Sequence, residues 1–132
     1  MIDLNPQPEM NAYEFILENI DSVPQLEALV LLWNSRPVAW SCEELASRLY
    51  LPAEKVVGLL QGLVRLRLVA RLDGPPQKYA YFPLSDDQNE MMRVVDSAYR
   101  RDLVRISTMI HSKASPAVRE FARAFRFKKE RD

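Results

Sequence analysis

The sequence predicts a mainly α-helical chain with one small β-hairpin, an α+β protein whose 132 residues form a single domain. Three observations carry that expectation. Apolar residues recur at helical spacing in several runs, most of them opened by a capping signal or a proline. Two β-prone pentapeptides flank an Asp73-Gly74-Pro75-Pro76-Gln77 turn. The last long run, from Asp86 to His111, keeps helical periodicity for far longer than the others.

A first helix is expected from Glu9 to Ile20, where Tyr13, Ile16, Leu17 and Ile20 share a face. Asp21 to Pro24 interrupts it. Ser22 is placed to cap a second helix, with Gln25 completing a capping box and Pro24 tolerated in the first turn. Leu26, Leu29, Val30 and Trp33 form the apolar stripe of that helix, which ends near Pro37. Val38-Ala39-Trp40 is short and β-prone. Ser41 and Glu44 form a second capping box, and Leu45, Ala46, Leu49 and Tyr50 should point inward from the helix it opens. Pro52 is expected as the first residue of a further helix reaching about Leu66, behind a poor N-cap in Leu51.

Leu68–Leu72 and Lys78–Phe82 then read as the hairpin, with a stiff tip. Ser85 and Gln88 form a third capping box, and the acids between them suit a helix N-terminus. Met92, Val95, Tyr99, Leu103, Ile106 and Ile110 make one apolar stripe of the long run, with Met91, Val94, Ala98 and Met109 beside it. This run is expected to be one helix of about 26 residues, a rod of about 39 Å. Ser115-Pro116 opens a last short helix carrying Val118, Phe121, Ala122 and Phe125, followed by Phe127 and a basic end.

Composition narrows the function classes. An apolar share of 48% suits a globular chain rather than a disordered one. The longest uncharged apolar run, Ala28–Trp33, is far short of the ~20 residues that span a bilayer, and the first residues lack the pattern of a signal peptide. One Cys makes neither an internal disulfide nor a cysteine-rich zinc site. A soluble, cytoplasmic protein without cofactor or metal is expected. Net charge is zero, but residues 1–84 carry a balance of −3 and residues 85–132 a balance of +3. Ten basic residues lie from Arg100 onward, either as solvated surface or as a contact for an anionic partner.

Enzymatic chemistry finds little support. The single His111 has no motif partner, there is no glycine-rich phosphate loop, and no nucleophile-base constellation follows from spacing. Cys42 falls at a helix N-terminus, where the dipole would lower its pKa, but a small half-buried hydrophobe is the simpler reading. Trp33 and Trp40 flank a corner and read as core or core edge. No enzyme is expected.

The order helix, short strand, helix, turn, helix, hairpin is that of a winged helix-turn-helix, here covering about residues 22–84. Ser41-Cys42-Glu43-Glu44-Leu45-Ala46-Ser47-Arg48-Leu49 is similar to the opening helix of many such domains. Pro52 to Val57 with Leu60, Leu63 and Leu66 resembles the recognition helix, about 52–67. Leu68-Val69, the Asp73-Gly74 turn and Tyr79 look like the wing, about 68–83. With flanking helices at 9–20 and 85–127, the chain resembles MarR-type bacterial transcriptional regulators, which dimerise through terminal helices.

That resemblance implies binding to double-stranded DNA. Lys55, Gln61 and Arg65 are residue types that read base edges, and Arg71 and Lys78 flank the wing tip. The tip itself carries no Arg, and Gly58 and Gly62, four apart in a helix, suggest close approach by another backbone. These last features favour the alternative, a winged-helix module that binds a protein partner and has no strong DNA affinity. The long stripe suggests a homodimer, with Met92, Val95, Tyr99, Leu103, Ile106, Ile110, Phe121 and Phe125 at its interface.

Overall fold

The computed structural model describes residues 8–82 and 85–113. Phe121, Phe125, Phe127 and the last expected helix lie outside the described residues. The chain divides into two compact units, one of residues Val23–Asp86 and one comprising Met1–Ser22 with Asp87–Asp132.

The central unit is a three-helix, three-strand motif. Helix α2 (Val23–Asn34) is followed by a two-residue strand β1 (Trp40–Ser41), then α3 (Cys42–Leu49) and α4 (Ala53–Arg65). Strands β2 (Val69–Leu72) and β3 (Lys78–Tyr81) form an antiparallel hairpin, and β1 pairs antiparallel with β3, giving the order β1-β3-β2. This is the winged helix-turn-helix fold that the element order predicts.

Local chemistry accounts for most boundaries. Ser41 caps α3: its Oγ accepts from the Glu44 N–H at 3.1 Å, while its own N–H donates to Glu44 Oε1 at 2.9 Å. Tyr50 closes α3 in the left-handed conformation, at φ 58° and ψ 44°. That turn swings its ring off the helix face, so Tyr50 is 93% exposed rather than inward as its spacing suggests. Pro52 is the N-cap of α4 and not its first residue. Val38 turns, its N–H bonding the Ser35 carbonyl, and the strand begins two residues later than its β-prone segment.

Leu26, Leu29 and Leu32 of α2, Leu45 of α3, and Val56, Leu60 and Leu63 of α4 are fully buried. Tyr81 joins them through β3, meeting Trp33 edge-on with ring centroids 5.0 Å apart. Arg36 lies over the outer face of Trp33 at 3.3 Å and donates to its carbonyl at 2.6 Å. Trp40 donates from Nε1 to Ser35 Oγ at 2.9 Å, so the corner between α2 and β1 is tied at both tryptophans.

The second unit contains α1 (Pro8–Asn19), α5 (Asp86–Arg101) from residue 87 onward, and α6 (Leu103–His111). The long periodic run is thus two helices and not one rod. The break is at Asp102, with φ −139° and ψ 40°. Asp is a weak helix former because its short acceptor side chain competes for local donors. Here that carboxylate accepts from the Tyr13 hydroxyl of α1 at 3.0 Å and from Arg105 at 3.5 Å. Lys113 closes α6 against α1, donating to the Ile20 carbonyl at 2.6 Å. No helix of the described residues is long and apolar enough to cross a membrane.

Candidate nucleic-acid interface

Helix α4 presents two faces. Val56, Leu60 and Leu63 point into the core, while Glu54, Gly58, Gln61 and Arg65 fall at i, i+4, i+7 and i+11 and form one exposed stripe. Lys55 is also exposed, on the flank of that stripe. The helix N-terminus follows a proline without a side-chain cap, and Glu54 lies in its first turn.

Beside α4 lies the hairpin. In the register Arg71↔Tyr79 and Leu72↔Lys78, Arg71 and Tyr79 share one face of the sheet, and Leu72 and Lys78 share the other. An open groove of about 1090 Å³ runs between α4 and the hairpin. Val57, Gln61, Val64 and Arg65 line it from α4, Arg71, Pro76, Gln77 and Tyr79 from the hairpin, and Cys42 and Glu43 from the start of α3. Gln61, Arg65 and Arg71 therefore meet around one concavity. Lys55 and Lys78 do not line it. Lys78 is half-buried on the opposite sheet face, where its charge helps lower the Glu44 carboxyl pKa.

Two groups of the groove, the Cys42 thiol and the Tyr79 hydroxyl, have raised pKa values. Burial, then the nearby Glu43 charge, raise the Cys42 thiol pKa. The thiolate activation that a helix N-terminus suggests is overridden. Burial also raises the Tyr79 hydroxyl, which donates to Gln77 Oε1 at 3.3 Å. Among the described residues no group of three or more His, Cys, Asp or Glu could hold a metal ion.

The two helical glycines separate. Gly62 is buried, and an added Cβ would collide with the side-chain amide of Gln25 on α2. Accommodating that Cβ would need the end of the Gln25 side chain to shift. Gly58 is exposed, and no atom lies within 4 Å of where its Cβ would be.

Charge within the central unit differs from that of the whole N-terminal stretch. Residues 23–86 carry seven basic and six acidic side chains, so the acidic excess belongs to the segment before α2. Of the basic residues from Arg100 onward, Arg100 pairs with Asp96, Arg105 with Asp102, and Lys113 with Asp21. These pairs are exposed at one partner or more and each contributes little stability.

The proposed interface residues of the second unit fall into two groups. Met92, Val95 and Ile106 have no exposure and Ile110 is 3% exposed within a single chain. The stripe expected to lie open for a partner is therefore largely closed already. The break at Asp102 is accompanied by exposure elsewhere, since Leu103 is 40% and Val104 81% exposed, and Tyr99 is half-buried.

No protein-family model matches the sequence, and no curated protein is significantly similar to it. Solved structures are similar in fold. Rv1404 from Mycobacterium tuberculosis matches with a TM-score of 0.52 at 22% identity, over 74% of this chain. The chain spans 66% of that protein, just under two thirds of its length. MepR, a transcription regulator of the Staphylococcus aureus multidrug efflux pump MepA, matches with a TM-score of 0.50 at 16% identity, over 92% of this chain and 87% of MepR. A MarR family protein from Bacillus stearothermophilus is 19% identical over 90% of this chain and 80% of its own, with a TM-score of 0.48. In fold, the chain is a winged helix-turn-helix with helices before and after the motif, similar to the regulator MepR.

Proposed function

We propose that this protein is a DNA-binding transcriptional regulator of the winged-helix, MarR-like class, acting as a cytoplasmic homodimer without catalytic activity. The observation that carries this reading is the exposed polar stripe of α4 set beside a groove in which Gln61, Arg65 and Arg71 converge. Helix α4 is the recognition helix in the major groove. Arg65 and Gln61 offer donors to base edges, Lys55 reaches base edges or phosphate, and Arg71 on the hairpin neutralises phosphate. The near-balanced charge of the central unit means that affinity depends on these few cations and falls with salt.

Dimerisation uses the second unit. Leu103 and Val104 are exposed apolar side chains at the start of α6, of the kind a two-fold partner covers. Tyr99, Phe121 and Phe125 are further candidates for that interface.

Selection of random-sequence duplex DNA at low salt tests the reading. Recovery of a shared motif whose affinity falls linearly on a log-log salt plot supports it. Recovery of nothing overturns it in favour of a protein-binding winged helix. That second reading draws on the wing, where the tip has Asp73 and no cation and Leu72 is 46% exposed, and on Val57 of α4, which is 38% exposed.

A further inference from the structure

Gly58 lies at the centre of the exposed stripe of α4, between Glu54 and Gln61, and the structure gives no internal reason for it. At Gly62 an added Cβ would meet the side-chain amide of Gln25 across the helix pair; at Gly58 it would meet only open space within 4 Å. Glycine is the poorest helix former after proline, so a solvated helix face gains stability from almost any other residue there. A glycine at such a point permits what a side chain would hinder, the close approach of another molecule to the helix backbone.

Resting on the DNA-binding reading above, we propose that Gly58 is the point of closest approach of α4 to the duplex. Its bare Cα lets the floor of the major groove come against the helix, which brings Gln61 and Arg65 within reach of base edges. Gly58 is then a positioning residue. It carries no donor or charge, and it sets the depth at which the residues that do carry them engage.

The test uses the full chain with Gly58→Ala and Gly58→Leu, and as probe a duplex recovered by selection on the wild-type protein. Thermal unfolding of Gly58→Ala should rise by roughly 2–6 °C, because a better helix former replaces glycine without a clash. Affinity for the selected duplex should fall about tenfold for Ala and further for Leu, while the salt slope stays as in wild type because no phosphate contact is lost. Lys55→Ala should do the opposite, lowering the slope if it contacts phosphate and leaving the Gly58 effect unchanged. Unaltered or improved DNA affinity in the stabilised Gly58→Ala variant overturns the proposal while leaving the DNA-binding reading intact. Failure of the wild-type protein to select any duplex overturns both.

Discussion

The Tyr13 hydroxyl donates to Asp102 Oδ2 at 3.0 Å, joining residues 89 apart in sequence at the point where α5 gives way to α6. The bond ties α1 to the junction between the two later helices. Both side chains are half-buried, so the bond is sheltered but not dry. Burial first, and then the Asp102 carboxylate, raise the Tyr13 pKa.

Tyr13→Phe should therefore destabilise the protein by about 1 kcal/mol, with solvent screening keeping the loss below that of a buried charged hydrogen bond. A double-mutant cycle with Asp102→Ala measures the pair alone. A coupling near zero would show that the helix break is maintained without it.

Gly62→Ala should destabilise by no more than about 1 kcal/mol, since its Cβ displaces only the flexible end of the Gln25 side chain and alanine is the better helix former. Combining it with Gln25→Ala should recover any such loss. A larger loss for Gly62→Ala in urea unfolding would show that the Gln25 side chain does not give way.

The Ser41–Glu44 box makes a pH-dependent contribution. The Ser41 N–H, and then its hydroxyl, hold the Glu44 carboxyl below its usual range. The lowered pKa means that this contribution is present above the ordinary carboxylate value and is lost as pH falls through the folded one. Glu44→Gln should be less stable than wild type near neutral pH, and the difference should shrink in acid. A pH-independent difference between the two proteins would contradict this origin.

On the proposed DNA face, Arg65→Ala should cost about 1–3 kcal/mol of specific affinity and relax sequence preference, while Arg71→Ala should weaken all duplexes alike and lower the salt slope by about one. Fluorescence anisotropy against matched and scrambled duplexes separates the two. Identical effects from both substitutions would remove the assigned roles.

For assembly, the informative substitutions are Leu103→Asp and Val104→Asp, because both side chains are exposed in one chain. Sedimentation at micromolar concentration should show a wild-type dimer and a folded variant monomer. Charging Ile106 instead should unfold the protein, since that side chain has no exposure. A wild-type monomer would refute the dimer.

The sequence by itself determined the winged-helix order, the Ser41–Glu44 cap and the hairpin around Asp73-Gly74, because each depends on residues within one turn or one hairpin. Helical periodicity likewise identified the inward residues of α2. Tertiary structure decided the rest. The continuous rod fails at Asp102, where Tyr13 of a distant helix engages its carboxylate, and no local pattern contains that partner. Gly58 and Gly62 look alike in sequence, and only the packing of α2 distinguishes the buried one, set against the Gln25 amide, from the exposed one. Arg65 and Arg71 came together with Gln61 because strand pairing turns Arg71 toward α4, whereas the same register turns Lys78 away. Local interactions act over a few residues and are written in spacing; which side chains share a groove depends on how separate elements pack, and spacing carries no record of that.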